Sequence, residues 1–298
     1  MQVKWQGVYP ALLTPFTQDD RLDLLLFEKN LEAQVAAGVH GVIIGGSLGE
    51  ASTLQFEEKK ELVLLAKAKL RDTFPVILNI AEASTADAIA LAKHAVNWGA
   101  DGLMLLPPMR YKSDDRETAT YFKSVAVATD LPIMIYNNPV DYKIDFHPAL
   151  FDQLVEYPTI QALKESSRDV TNLTRMLNRF GDRFKILCGV DTLALEEICL
   201  GAHGWVAGLV DAFPRETVAI WELAQAGKLN EARSIYRWFM PLLELDIHPK
   251  LVQYIKLAAQ ETGIGSEWVR PPRLPLEGEE RTRVLSIIRN AIANRPVI

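Results

Sequence analysis

The feature that most constrains this chain is a series of eight short apolar segments, each followed by a stretch with apolar residues at helical spacing. The segments are residues 8–13, 41–45, 75–79, 102–106, 132–136, 159–164, 184–188 and 204–207. Nearly continuous apolar runs are the pattern of strands buried on both faces in a parallel sheet. The intervening stretches, near residues 23–37, 54–70, 85–98, 116–128, 147–155, 169–180, 192–200 and 214–226, change to a helical period, as in Leu24, Phe27, Leu31 and Val35. Eight such units predict an α/β chain folded as a (β/α)8 barrel, with a doubly wound sheet as the rival.

An internal echo favours the closed ring. Gly38-Val39-His40-Gly41, Gly99-Ala100-Asp101-Gly102 and Gly201-Ala202-His203-Gly204 share one pattern, in which a helix ends at a glycine and a buried strand begins three residues later. The first glycine suits a left-handed helix cap. The chain has 298 residues, more than a barrel needs. Three further helical segments, near 229–243, 249–262 and 279–294, follow the eighth unit. The expected division is a barrel over residues 1–226 and a helical extension over 227–298, packed on the barrel as an appendage.

Composition excludes several function classes. The net charge is −6 and no basic run is interleaved with aromatics, so no nucleic-acid partner is expected. No apolar stretch reaches transmembrane length, and the first residues lack the apolar core of a signal peptide. Two cysteines, Cys188 and Cys199, make no disulfide framework. A cytoplasmic chain with a small-molecule substrate and no membrane partner is the expectation. The five histidines are scattered and form no metal-ligand pattern, so no metal is expected.

In barrels of this kind chemistry sits at the C-terminal ends of the strands. Strand six ends on Lys164 after an apolar run. An amine held against an apolar interior is shifted toward its neutral form, which a carbonyl substrate needs for Schiff-base formation. Strand five ends at Tyr136-Asn137-Asn138-Pro139, and Tyr136 is a candidate proton shuttle within about 3 to 4 Å of the amine. The loop Gly46-Ser47-Leu48-Gly49-Glu50 offers backbone N–H groups and a hydroxyl to an anion. Strand seven ends at Gly189-Val190-Asp191, and strand eight runs into Ala207-Gly208. A snorkelling lysine, a plain turn at the glycine loop and a core-capping tyrosine are the competing structural readings of these residues.

Taken together, Gly-x-x-Gly-Glu after strand two, Tyr-Asn-x-Pro after strand five and Lys164 on strand six resemble the dihydrodipicolinate synthase/N-acetylneuraminate lyase family. Order, spacing and total length agree across essentially the whole chain. The resemblance implies a class I lyase in which Lys164 forms the imine and Tyr136 moves protons. It implies that Ser47 and the Leu48 backbone hold the substrate's carboxylate, and that Gly189 and Val206 line the pocket. It implies no metal and no organic cofactor, and a homotetramer or homodimer.

Departures from the family pattern bear on the substrate. Dihydrodipicolinate synthases resemble one another in a second hydroxyl where Leu48 stands. They carry a partner-supplied tyrosine where Met109 stands, with Tyr111 two residues further on, and an arginine where Asp141 stands. An aspartate there would repel a carboxylate. Met109, Tyr111, Asn138, Asp141 and Asp191 are therefore pocket candidates. The combination most resembles a branch that deaminates 1-pyrroline-4-hydroxy-2-carboxylate. The alternatives are 4-hydroxy-tetrahydrodipicolinate synthase, a deoxy-sugar-acid dehydratase or 2-oxo acid aldolase, and a non-catalytic regulator that binds a 2-oxo acid.

Overall fold

Each strand segment has two apolar faces to bury, and the fold buries both. The computed structural model describes residues 3–70, 74–108 and 111–298. The chain begins with β1 (Gly7–Pro10), α1 (Leu24–Ala36), β2 (Val42–Ile44) and α2 (Phe56–Lys69). It continues through β3 (Val76–Ile80), α3 (Thr85–Trp98), β4 (Gly102–Leu105), α4 (Asp115–Ala126) and β5 (Ile133–Asn137). Two single turns, α5 (Pro139–Tyr142) and α6 (Pro148–Phe151), precede β6 (Ile160–Glu165) and α7 (Val170–Phe180). Then come β7 (Lys185–Cys188), α8 (Ala194–Cys199), β8 (Gly204–Ala207) and α9 (Pro214–Gln225). Three helices complete it: α10 (Leu229–Leu243), α11 (Leu251–Glu261) and α12 (Gly278–Ala293).

All eight strands are parallel, in the order β1-β8-β7-β6-β5-β4-β3-β2. The ring is nearly closed: an Ala11–Ile43 bridge joins the two ends. This is the (β/α)8 barrel that the alternating segments predict, with helices following the eighth unit. Among the described residues, no helix is long and apolar enough to cross a membrane.

Strand alternation sorts the side chains. Ile43, Ile77, Met104, Met134, Ala162 and Leu187 pack in the cluster that fills the barrel interior. Their neighbours Ile44, Leu78, Leu103, Ile135, Leu163 and Ile186 pack against the helix layer. The glycine echo has a physical basis on both counts. Gly38, Gly99 and Gly201 take φ of 89°, 81° and 101°, the left-handed caps expected. A Cβ on Gly204 would come within 2.4 Å of the Gly7 carbonyl on the neighbouring strand, so that position needs a bare backbone.

One local expectation needs adjustment. The stretch at 147–155 forms only the single turn α6, and the turn α5 precedes it. Pro139 and Pro148 each fix a helix start, and between them Lys143 adopts φ 63°, which ends α5 after four residues.

Candidate active site

The register of β5 against β6 sets Tyr136 beside Lys164 and Asn137 beside Glu165. Alternation then divides the four. Glu165 turns to the helix layer, where it accepts from Asn172 Nδ2 at 2.5 Å, Asn137 Nδ2 at 3.1 Å and the Ser167 N–H at 2.6 Å. Lys164 and Tyr136 turn inward, and both are buried. The lysine Nζ lies 4.2 Å from the centre of the Tyr136 ring. Burial pushes the Lys164 amine below its usual range, while Asp246, Asp191, Cys188 and Asp141 pull the other way. Losing hydration costs the charged amine more than these neighbours return.

Burial likewise pushes the Tyr136 hydroxyl up, to about 12, so it is protonated at neutral pH. The hydroxyl is bonded by Asn138 Nδ2 at 3.2 Å, and Ser166 is a second neighbour. Among the described residues no hydrogen bond joins this hydroxyl to the amine. The amine sits over the ring face instead, because paired residues on adjacent strands project side by side. A bound oxygen between them would bridge the two groups, and catalytic contacts of this kind tighten on binding.

Gly189, at the end of β7, makes room for the lysine. A Cβ there would lie 2.7 Å from Lys164 Cγ and Cε and 2.1 Å from Ser166 Oγ. Ser166 Oγ in turn donates to the Gly189 carbonyl at 2.9 Å.

The loop after β2 is clamped from outside the barrel. Its last residue, Glu50, has φ 58° and is fully buried. Lys256 Nζ of α11 lies 2.5 Å from its carboxylate and also donates to the Trp268 carbonyl at 2.6 Å. The Arg270 N–H donates to Glu50 at 3.0 Å. Burial pushes the Lys256 amine down to about 8, with Glu50 pulling up. On the barrel side, Thr14 Oγ1 donates to the Gly49 carbonyl at 2.7 Å. Ser47 and Leu48 thus sit at the cavity wall on a loop anchored at Gly49 and Glu50.

These residues enclose a cavity of about 70 Å³. At roughly 10–15 Å³ per water-sized occupant, it has room for about five to seven non-hydrogen atoms, the size of a compact acid. Ser47, Leu48, Tyr136, Asn138, Asp141, Lys164, Gly189 and Val206 all line it. An outer vestibule of about 870 Å³ opens beyond, sharing Ser47, Asp141, Arg168 and Asp246 with the inner cavity.

Two pocket candidates fall elsewhere, and a third, Met109, lies outside the described residues. Tyr111 lines neither space and is 57% exposed. Asp191 is buried behind the wall, not in it. It accepts from Trp205 Nε1 at 2.9 Å and from the N–H groups of Gly208 and Leu209 at 3.1 and 2.8 Å, which fixes the strand-eight turn.

Four lining residues escape a motif-based reading. Ser166 and Arg168 come two and four positions after Lys164, and only their distance from the strand end could have singled them out. Tyr142 lies six positions after Tyr136, and its hydroxyl makes a short hydrogen bond with Ser47 Oγ. Asp246 comes from the turn after α10, more than eighty residues from Lys164, and no local pattern marks it. Among the described residues, no group of three or more His, Cys, Asp or Glu is placed to hold a metal ion.

Comparison with known proteins matches residues 4–291 to the family described as the dihydrodipicolinate synthetase family. A 4-hydroxy-tetrahydrodipicolinate synthase of Exiguobacterium sibiricum is 35% identical over 275 residues, which is 91% of this chain and 92% of the relative. A synthase of the same name from Methanothrix thermoacetophila is 31% identical over 288 residues, 95% of this chain and 96% of the relative. Among solved structures, the 4-hydroxy-tetrahydrodipicolinate synthase of the methanotroph Methylacidiphilum fumariolicum superposes with a TM-score of 0.89 at 30% identity, over 97% of each chain.

Proposed function

The chain belongs to the dihydrodipicolinate synthetase family and is a lyase, and on that premise we propose that Lys164 forms a Schiff base with a small 2-oxo or 2-imino acid. The observation that carries this reading is the buried amine of Lys164 at the wall of a cavity sized for such an acid, with Tyr136 alongside. Ser47 and the backbone of the Leu48 loop are suited to the acid's carboxylate, as hydroxyl and N–H donors to an anion. The neutral amine attacks the carbonyl carbon and the carbonyl electron pair moves to oxygen. Tyr136 gives that oxygen a proton and recovers one from the new ammonium nitrogen. A second proton from Tyr136 lets the oxygen leave as water, and the iminium forms.

The relatives' names favour 4-hydroxy-tetrahydrodipicolinate synthase, which the sequence reading held only as an alternative. None of these names supports the deamination of 1-pyrroline-4-hydroxy-2-carboxylate. Condensation of pyruvate with aspartate semialdehyde is therefore the first reaction to assay. Deamination stays as a second reading on one observation. Asp141 and Asp246 line both the inner cavity and the vestibule beside Arg168, while Lys59 and Arg273 line the vestibule alone, so a second carboxylate close to Lys164 meets two carboxylates. The test runs both substrates in parallel, with product masses and released ammonia measured. Condensation without deamination supports the synthase; ammonia release without condensation supports the second reading. Failure of both, with no lysine adduct, would overturn the Schiff-base reading.

A homotetramer or homodimer and a cytoplasmic location belong to the same proposal. Family membership supports the first, and the free thiols of Cys188 and Cys199 are compatible with the second. Light scattering in solution measures the assembly state directly.

A further inference from the structure

A 2-oxo acid joined to Lys164 fills the inner cavity with its carboxylate, its reacting carbon C2 and the next carbon, C3. Substituents on the carbon after that, C4, then lie where the inner cavity opens into the vestibule. Six residues line both spaces: Ser47, Asp141, Arg168, Asp246, Ile247 and Leu251. Ile247 and Leu251 are apolar, and Ser47 is suited to the carboxylate. A polar group on C4 therefore meets Arg168, Asp141 and Asp246.

These three differ in what they are free to do. Asp141 is engaged: its Oδ2 accepts from Asn138 Nδ2 at 2.8 Å, and its N–H donates to Asn138 Oδ1 at 3.1 Å. Among the described residues, no side chain hydrogen-bonds to the Asp246 carboxyl. Asp246 arrives from the connection between α10 and α11 and lies against the end of β8, where a Cβ on Gly208 would come within 2.4 Å of its Oδ1. The Gly208 N–H is already taken by Asp191. Burial, and then the like charge of Asp191, push the Asp246 carboxyl well above the usual carboxylate range, against the pull of Lys164 and Arg168. The carboxyl is thereby suited to hold a proton and give it up at the cavity. Arg168 follows β6 with φ 64°, a left-handed conformation uncommon for a residue with a Cβ and one that gathers at working sites. Its guanidinium donates hydrogen bonds but does not give up a proton.

An acid beside C4 decides between two reactions. The imine of a 4-hydroxy-2-oxo acid can break its C3–C4 bond or lose its C4 hydroxyl. Cleavage needs a base to take the hydroxyl's proton, whereas elimination needs an acid to give the hydroxyl one. We propose that Asp246 is the catalytic acid for loss of a C4 hydroxyl, with Arg168 donating to that hydroxyl's oxygen, so that the chain eliminates water rather than splitting such a substrate. The Tyr136 tyrosinate left by imine formation takes a proton from C3, giving an enamine with a C2=C3 bond and a neutral nitrogen. The nitrogen pair then reforms the iminium, the C2=C3 pair moves to C3–C4, and the C4–O bond breaks. Asp246 gives the departing oxygen its proton, and water leaves. Tyr136 is again a phenol, and Asp246 regains the proton that hydrolysis of the conjugated iminium sets free. Condensation with an aldehyde also leaves a hydroxyl on C4, so the step bears on both reactions proposed above. The inference rests on the Schiff-base reading of Lys164.

The test incubates the protein with 4-hydroxy-2-oxopentanoate, quenches with borohydride at timed intervals and weighs the intact protein. The adducts of the whole hydroxy acid, of its dehydrated form and of the pyruvate left by cleavage differ in mass. In the wild type the dehydrated adduct should come to dominate. Asp246→Asn keeps the shape of the side chain without its acidic proton, so the ratio of dehydrated to whole adduct should fall about 100-fold or more, the scale of one general acid. Asp246→Glu should retain part of the ratio, and Arg168→Met should lower it about tenfold, as for one hydrogen bond from a charged group. Gly208→Ala, whose added methyl displaces the carboxyl without removing it, should shift the ratio in the same direction and serves as the test if Asp246→Asn does not fold. A wild type that accumulates the whole adduct or the pyruvate adduct would overturn the assignment, and so would a wild-type ratio in Asp246→Asn. Absence of any adduct in the wild type would overturn the Schiff-base reading and the acid's role with it.

Discussion

At Lys164 the balance between burial and nearby carboxylates decides how much of the amine is free to attack. Its side chain is positioned from behind by the absence of a side chain at Gly189. Adding one methyl group there forces contacts of 2.7 Å on the Lys164 side chain and 2.1 Å on Ser166 Oγ. Gly189→Ala should therefore cost about 1–3 kcal/mol of stability through overpacking. Displacing the amine by about 1 Å should lower kcat by roughly 100-fold. Thermal melting and steady-state turnover measure the two effects, and full turnover in this variant would contradict the placement. Lys164, Tyr136 and Ser47 were legible in the sequence because each ends a strand that the apolar pattern already located. Tyr142 and Asp246 were not. One sits on a four-residue turn too short to leave a periodic signal, and the other reaches the cavity from a connection far along the chain.

Among the elements, the loop after β2 depends on α11. Glu50 and Lys256 are both essentially excluded from solvent, and Arg270 and Arg273 lie on the same carboxylate. Removing one partner of a buried pair leaves the other charge stranded, at about 3–5 kcal/mol. Lys256→Met should lower the melting temperature and weaken pyruvate binding, because the loop carrying Ser47 and Leu48 loses its anchor. Glu50→Gln added to Lys256→Met should recover much of the stability. A Lys256→Met variant with unchanged melting and unchanged affinity would contradict the clamp. The strands and long helices were readable to within about three residues because period two and period 3.6 are carried by buried side chains. The clamp was not readable, since its ion pair spans about two hundred residues and leaves no local trace.

For the molecule as a whole, barrel and C-terminal helices share one apolar cluster. Phe213 and Trp221 of the eighth unit pack in it with Ile235, Phe239, Leu257 and Ile288. We take the division near residue 226, with a helical extension packed on the barrel, as a proposal that this continuity supports. Global stability should carry a pH signature from Glu197 on α8, which is 1% exposed beside Cys188. Burial, and then Glu165, push its carboxyl from 4.5 up to about 8. The folded chain then holds a proton that the unfolded chain releases between those pH values. Stability from this group is greatest below about pH 4.5 and falls as pH rises to about 8, at up to about 1.4 kcal/mol per unit. Glu197→Gln removes the titration, so its melting temperature should pull ahead of the wild type progressively from pH 5 to pH 8. A constant gap across that range would contradict the assignment.

The central claim is that one lysine carries the chemistry, and peptide mapping after borohydride reduction with pyruvate tests it most directly. The account predicts a single modified peptide, the one containing Lys164, and no adduct or turnover in Lys164→Ala. An adduct on any other lysine, or wild-type turnover in the alanine variant, would contradict it.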